Sequence, residues 1–423
     1  MIGLLLFLMF LFLLLNFPMK VAMIVAPMVI MIIYFPEMPL MMSIQQLIAG
    51  ISSVVLLSVP MFIFAADIMC TGKTTTRLLD LVESFVGHVR GGMAITAAAT
   101  CVLFSTVSGS TQATFVAVGK PMRTRLVDLG YKDSSAIGLL MYSAIVALVI
   151  PPSISMIMYA VVTGTSVGQL FIAGVGPGLL MFFAIAVYCY FFARKTQIPL
   201  LPKGTWARRS QAFLKALPSM GFPVVIFAGI YSGTFSPVEA AAISVLYALI
   251  LEMLIFRSVN LKALYKIAVS TAVVTCVVFV LVAAGQLFSW VISFARIPQM
   301  LIAATLGSDP TALAVLIMVT IFFFVGCIFV DSLVVIIILG PIFYPVAMGA
   351  GVDPIHLGIV VVLQAAIGAV SPPLGANIFT ACAIFNRPLL TVLRGTPPYL
   401  IIMIIISAIV ILIPELSLFL LDR

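Results

Sequence analysis

The sequence predicts an all-α polytopic membrane protein, an inverted-topology repeat with two re-entrant helical hairpins and two helices broken at Pro-Pro pairs. Three observations carry this: an apolar excess that no water-soluble fold could cover, a one-sided distribution of basic residues, and motif pairs that recur at an offset near 220 residues.

Of 423 residues, 64% are apolar and only 8% charged, against roughly 25% charged in soluble domains. Mean hydropathy is +1.32. The bilayer must therefore be the solvent. In lipid every backbone polar group needs an internal partner, which leaves helices or a closed barrel. Barrel strands alternate apolar and polar residues, whereas runs such as Ala268–Ala284 and Ile401–Ile413 are continuously apolar. The spans are helices, expected at 2–16, 19–35, 47–70, 134–161, 168–193, 217–232, 237–256, 266–293, 355–384 and 396–420. Met1–Phe17 has no basic residue ahead of its apolar run, so it reads as a retained first helix and not a cleaved signal. The six scattered cysteines lack CxxC spacing and read as small packing residues.

The net charge of +8 does not point to nucleic acid, because the basic residues lie in short loops where they set orientation. Nineteen of the twenty-one Lys and Arg residues occur in the segments 71–92, 119–133, 194–216, 257–266 and 385–395, or at Lys20. Only Arg296 and Arg423 fall elsewhere. All nineteen share the cytoplasmic face if stretch 93–118 enters and leaves through that face, as a hairpin turning near Ser105–Thr111. By the same parity 311–346 is a hairpin from the outside, and both termini lie outside. The alternative, in which either stretch crosses twice with very short helices, stays open on parity alone.

The halves then repeat one element order with opposite starting sides. Pro18 and Pro237 are 219 apart. Pro121 and Pro341, Asp133 and Asp353, and Gly138 and Gly358 are each 220 apart, and the pairs Pro151-Pro152 and Pro372-Pro373 are 221 apart. The expected division is a first repeat 1–193, with scaffold helices 1–70 and a mobile part 93–193. A basic amphipathic arm follows at 194–216, containing Trp206 and lying along the cytoplasmic surface. The second repeat is 217–423, with scaffold 217–293 and mobile part 311–420.

Proline removes a donor and clashes with the preceding turn, so each Pro-Pro pair should unwind its helix and free carbonyls and half-helix ends for a ligand. The first hairpin turn, Ser105-Thr106-Val107-Ser108-Gly109-Ser110-Thr111-Gln112, is a polar run inside an apolar stretch and offers the oxygens that Na⁺ requires. In the second, Asp331 stands among apolar residues, where a carboxylate at mid-membrane costs about 2.5–3.5 kcal/mol. A bound cation or a proton would offset that cost, and so would capping of the returning helix. Asp67 near a helix end and Glu239 after Ser236-Pro237 read as structural groups. Arg296 is the only basic residue in an outside loop and suits contact with an anionic substrate or an acidic partner, or equally a surface role. His88 and His356 sit at span ends and form no catalytic pair with Ser108, and no phosphate-binding loop is present. The chain reads as a transporter and not an enzyme; a uniporter or channel, an intramembrane hydrolase and a purely structural subunit are the rivals.

Several motifs, in order, resemble the large membrane (M) subunit of tripartite ATP-independent periplasmic (TRAP) transporters. They are Ser108-Gly109-Ser110-Thr111, Ile150-Pro151-Pro152-Ser153-Ile154, Val162-Thr163-Gly164-Thr165-Ser166, Phe235-Ser236-Pro237-Val238-Glu239-Ala240-Ala241-Ala242 and Ser371-Pro372-Pro373-Leu374-Gly375. The sequence has Pro-Val-Glu-Ala where Pro-Thr-Glu-Ala is common, and Thr111-Gln112 where small residues are usual. The resemblance implies an elevator-type secondary transporter in the bacterial inner membrane that imports an organic acid anion with Na⁺. It implies a periplasmic substrate-binding protein (P) and a small four-helix membrane subunit (Q), here expected as a separate chain. By motif match, Na⁺ ligands would come from Ser105, Ser108 and Gly109, from Gly326, Cys327 and Asp331, and from carbonyls beside Pro151 and Pro372. Substrate would lie near Ser108, Ser110, Ser153 and Asn377. Overall similarity favours a sialic acid (N-acetylneuraminate) as substrate, with a C4-dicarboxylate as the alternative.

Overall fold

Helices account for all the regular structure among the described residues, which in this computed structural model are 1–15, 17–296 and 310–421. Among the described residues, eight helices are long and apolar enough to cross a membrane by length and composition. The first hairpin consists of Gly92–Ser108 and Thr111–Asp128. The chain reverses at Gly109, where a left-handed φ of +58° ends the first arm, and Ser110 caps the second by accepting from the Ala113 amide. The second hairpin consists of Ala312–Phe329 and Ser332–Gly349, with Asp331 as the capping residue. Ser110 and Asp331 are therefore equivalent capping positions, 221 residues apart.

Both Pro-Pro pairs interrupt their helices as expected. Asp133–Ala144, continued by Val146–Val149, gives way to Ile154–Thr163 across the first pair. Pro354–Ala369 gives way to Ala376–Phe385 across the second. Both Pro-Pro bonds are cis.

Three elements differ from the sequence expectation. The span expected at 47–70 divides into Met41–Ile51 and Ser58–Thr71, joined by a 3₁₀ turn, because Ser52-Ser53 interrupts the apolar run. Within the arm 194–216 only residues 196–205 are non-helical, and the second half merges with the span expected at 217–232. From Trp206 it is helical and runs without a break to Tyr231, with Thr205 as cap and Pro218 and Pro223 tolerated inside. Segment 71–92 contains an additional helix, Thr74–Val86. Its N-terminus is capped in trans by Glu252, from a π-helical turn that follows Pro237–Leu249. The buried Glu252 carboxylate accepts from the Lys73 and Thr74 amides (3.1 and 3.2 Å), from the Thr74 hydroxyl (2.6 Å) and from the Ser258 hydroxyl.

The basic segments meet on one face. Glu83 pairs with Arg125 from the base of the first hairpin and with Arg208 from the arm. Asp133 pairs with Arg123 at 2.6 Å and with Arg387 at 2.8 Å. Arg77 donates to the Lys215 carbonyl and stacks over Phe256, next to the 257–266 turn. Segments 71–92 and 119–133 thus lie on the same side, so the first hairpin enters and leaves by one face. The 347–354 turn lies at the far end of the broken helix, where the Tyr159 hydroxyl donates to the Pro354 carbonyl at 3.0 Å. Most of the expected outside loop 294–310, and Arg423, fall outside the described residues.

Candidate functional site

Two hairpin turns and two helix breaks converge on one cavity of about 310 Å³. The turns arise from a short polar run inside apolar stretches; the breaks arise from consecutive prolines. Each turn or break starts a new helix, and the first-turn residues of all four line the cavity: Thr111 to Ala113, Ile154-Ser155, Ser332-Leu333 and Ala376-Asn377. Each helix N-terminus carries roughly +0.5 of an elementary charge and unpaired amides, so the walls favour an anionic group.

The tip of the first hairpin sits directly on the first break. A Cβ on Gly109 would lie 2.5 Å from the Pro152 carbonyl oxygen, so only glycine allows this approach. The Thr111 hydroxyl donates to Asn377 Oδ1 at 3.3 Å, tying the first hairpin to the second broken helix. Ser108 and Thr114 share a hydroxyl–hydroxyl bond of 2.7 Å across the hairpin.

Ser108, Gly109, Ser110, Asp331 and Asn377 of the expected site line the cavity. Asp331 also accepts from the Leu333 amide at 2.9 Å, so it is both the helix cap and a cavity carboxylate. Ser105, Gly326, Cys327, Pro151 and Pro372 stand behind the lining and do not form it. Ser105 donates to the Cys101 carbonyl at 2.6 Å, and Cys327 is buried against the Gly368 backbone. Ser153 is fully buried and occupied as a cap: it donates to the Leu148 carbonyl at 2.5 Å and accepts from the Met156 amide.

The structure adds residues that the sequence reading passed over. Ser155 lines the cavity, is fully buried, and its hydroxyl has no partner. Its position two residues after the capping Ser153 is the signal that could have found it. Asp67, read as structural, is also in the wall, with one oxygen accepting from the Thr271 hydroxyl at 3.0 Å. Thr271 lies on Leu261–Phe294, far away in the chain, so sequence alone offered no cue. Glu239 keeps its structural reading: with Ser236 it forms a capping box. No Lys, Arg or His is among the lining residues. Among the described residues no group of three or more His, Cys, Asp or Glu side chains comes together. A cation here would be held by hydroxyls, carbonyls and the two aspartates, a hard-oxygen set suited to an alkali ion.

Residues 6–416 match the family described as "Tripartite ATP-independent periplasmic transporter, DctM component". The chain is 48% identical to the ectoine/5-hydroxyectoine TRAP transporter large permease protein UehC of Ruegeria pomeroyi, over 97% of this chain and 96% of that protein. It is equally similar, over the same shares, to the ectoine TRAP transporter large permease protein TeaC of Halomonas elongata. Identity to the sialic acid TRAP transporter large permease protein SiaM of Vibrio cholerae is 34%, over 89% of this chain and 88% of that one. In fold it resembles the YdaH transporter of Alcanivorax borkumensis, with a TM-score of 0.66 at 13% identity, covering 88% of this chain and 87% of that one. With near-complete coverage at these identities, the chain belongs to the DctM family, the large permease of TRAP transporters, which works with a small membrane subunit and a periplasmic substrate-binding protein.

Proposed function

We propose that this permease, a multi-pass protein of the bacterial inner membrane, imports a small zwitterionic solute of the ectoine type together with Na⁺. The observation that carries the reading is the convergence of four helix N-termini and two aspartates, without any basic side chain, on one cavity of about 310 Å³. The N-termini suit the carboxylate of a solute; the aspartates suit cations, both Na⁺ and a positive group on the solute. A dianion would gain from the dipoles but meet both carboxylates. The cavity stands at the small end of ligand pockets, ~300–1,000 Å³, and so fits a single compact ring better than a bulky sugar acid. Two permeases named for ectoine are 48% identical to this chain, against 34% for the one named for sialic acid, so the sialic acid expectation is set aside.

Na⁺ would bind at the hairpin tips, with Ser105, Ser108 and Gly109 at one and Gly326, Cys327 and Asp331 at the other, completed by carbonyls beside Pro151 and Pro372. Solute would lie near Ser108, Ser110, Asn377 and Ser155, the last in place of the occupied Ser153. Hairpins and broken helices, 93–193 and 311–420, would move as one body against scaffold helices 1–70 and 217–293, the elevator movement. Both termini would face the periplasm. Reconstitution of the complex in liposomes tests the reading: ectoine uptake should require both the cognate binding protein and an inward Na⁺ gradient. Uptake that persists without Na⁺ removes the coupling, and flux without accumulation points to a uniporter. A preference for C4-dicarboxylates overturns the substrate.

A further inference from the structure

We infer that Asp67 recognises the positive end of the transported solute, and does so from the stationary side of the cavity. The assignment rests on the zwitterion reading above and gives it a residue.

The two cavity carboxylates have different surroundings. Asp331 begins a helix and is bonded to its first-turn amide, so the field of that N-terminus already compensates part of its charge. Asp67 lies near the C-terminal end of Ser58–Thr71, where the helix field opposes a negative charge. Its one hydrogen bond from another side chain, from Thr271, is a neutral one through Oδ2. No Lys, Arg or His lines the cavity to balance it. A negative group held at membrane depth in such a place needs a cation when the cavity is filled.

Position decides which cation. The Na⁺ ligands proposed above all lie on the hairpins and broken helices. Asp67 instead belongs to a helix packed against Pro237–Leu249 and Leu261–Phe294. The same cavity is lined by the helix N-termini and by the unpartnered Ser155 hydroxyl. A solute with a carboxylate at one end and a delocalised amidinium at the other, as in ectoine, can satisfy both kinds of group at once. The carboxylate takes the amides and Ser155; the amidinium takes Asp67. Because Asp67 would not travel with the moving body, its contact would be made in this register and broken on transit. It would act on solute capture, not on ion coupling.

The test is ectoine uptake by the reconstituted complex with its binding protein, for Asp67→Asn and Asp67→Glu beside wild type. Loss of a charge-assisted hydrogen bond should lower kcat/KM for ectoine about tenfold or more in Asp67→Asn. The Na⁺ half-saturation should stay within about twofold, which also certifies the fold. Asp67→Glu, which keeps the charge, should recover most of the loss. Unchanged ectoine kinetics in Asp67→Asn, a parallel shift in Na⁺ half-saturation, or equal damage from Asn and Glu overturns the assignment. If Asp67→Asn fails to assemble, Asp67→Thr is read by the same criteria. A wild-type complex that takes up no ectoine removes the substrate reading itself; a working wild type with an indifferent Asp67→Asn removes only this assignment.

Discussion

Asp331 shows how one side chain can serve two ends. It caps the returning arm of the second hairpin through the Leu333 amide and presents its carboxylate to the cavity. Asparagine keeps the capping oxygen, and Asn and Asp are nearly equal as N-caps, so Asp331→Asn should insert and fold. If the charge holds Na⁺, that variant loses Na⁺-dependent uptake in liposomes; normal Na⁺ dependence would leave Asp331 as a cap only. Glu252 makes the converse case, a carboxylate wholly occupied by structure. Alanine there would remove the acceptor of the Lys73 and Thr74 amides at the start of Thr74–Val86, and one partner each of the Thr74 and Ser258 hydroxyls. Unmet buried groups cost about 1–3 kcal/mol each, so Glu252→Ala should clearly lower the unfolding temperature in detergent, and Glu252→Gln should lower it less. Neither role could be read from composition; the amides that Glu252 caps are 178 and 179 residues away in the chain.

At the scale of elements, the hairpins and broken helices were legible because their signals are local. A glycine-bearing polar run within an apolar stretch can only be a turn, and two consecutive prolines cannot continue a helix. What these elements touch is not local. The first hairpin docks on the first break through Gly109, whose φ of +58° and 2.5 Å approach to the Pro152 carbonyl both exclude a side chain. The left-handed conformation alone costs a non-glycine residue roughly 1–2 kcal/mol, and the clash adds to it. Gly109→Ala should therefore insert and bind the small subunit yet lose most uptake, because the tip can no longer seat. Uptake near wild type would mean that the tip contact is dispensable. The arm at 194–216 merges with the span expected at 217–232 for a related reason. Its basic residues mark the side of the membrane but do not stop a helix, and nothing between Trp206 and Tyr231 does so either.

For the whole molecule, the contact that most directly tests movement is that of Gly285, on Leu261–Phe294, with Ile337, on the returning arm of the second hairpin. A Cβ on Gly285 would fall 1.8 Å from the Ile337 side chain, so the two backbones are held close by the absence of one. If the hairpins travel against the long scaffold helix, this pair must separate in every cycle. A Gly285→Cys, Ile337→Cys double variant should form a disulfide on oxidation, abolish uptake, and recover on reduction. Full uptake with the disulfide formed would exclude relative sliding at this surface.

The amino-acid sequence alone settled the class of solvent, the helical fold, the gathering of the basic loops on one face and the family. Each of these depends on quantities that a chain carries locally: apolar run length, loop charge, proline pairs and glycine-bearing turns. Only the tertiary structure decided which oxygens face the cavity. It made Ser153 a cap and Ser155 a free hydroxyl, and it brought Asp67 from outside the repeat motifs to the cavity that Asp331 also lines. Side-chain direction after a helix break, and contact between helices some 200 residues apart in the chain, are set by packing. A linear pattern carries no record of either.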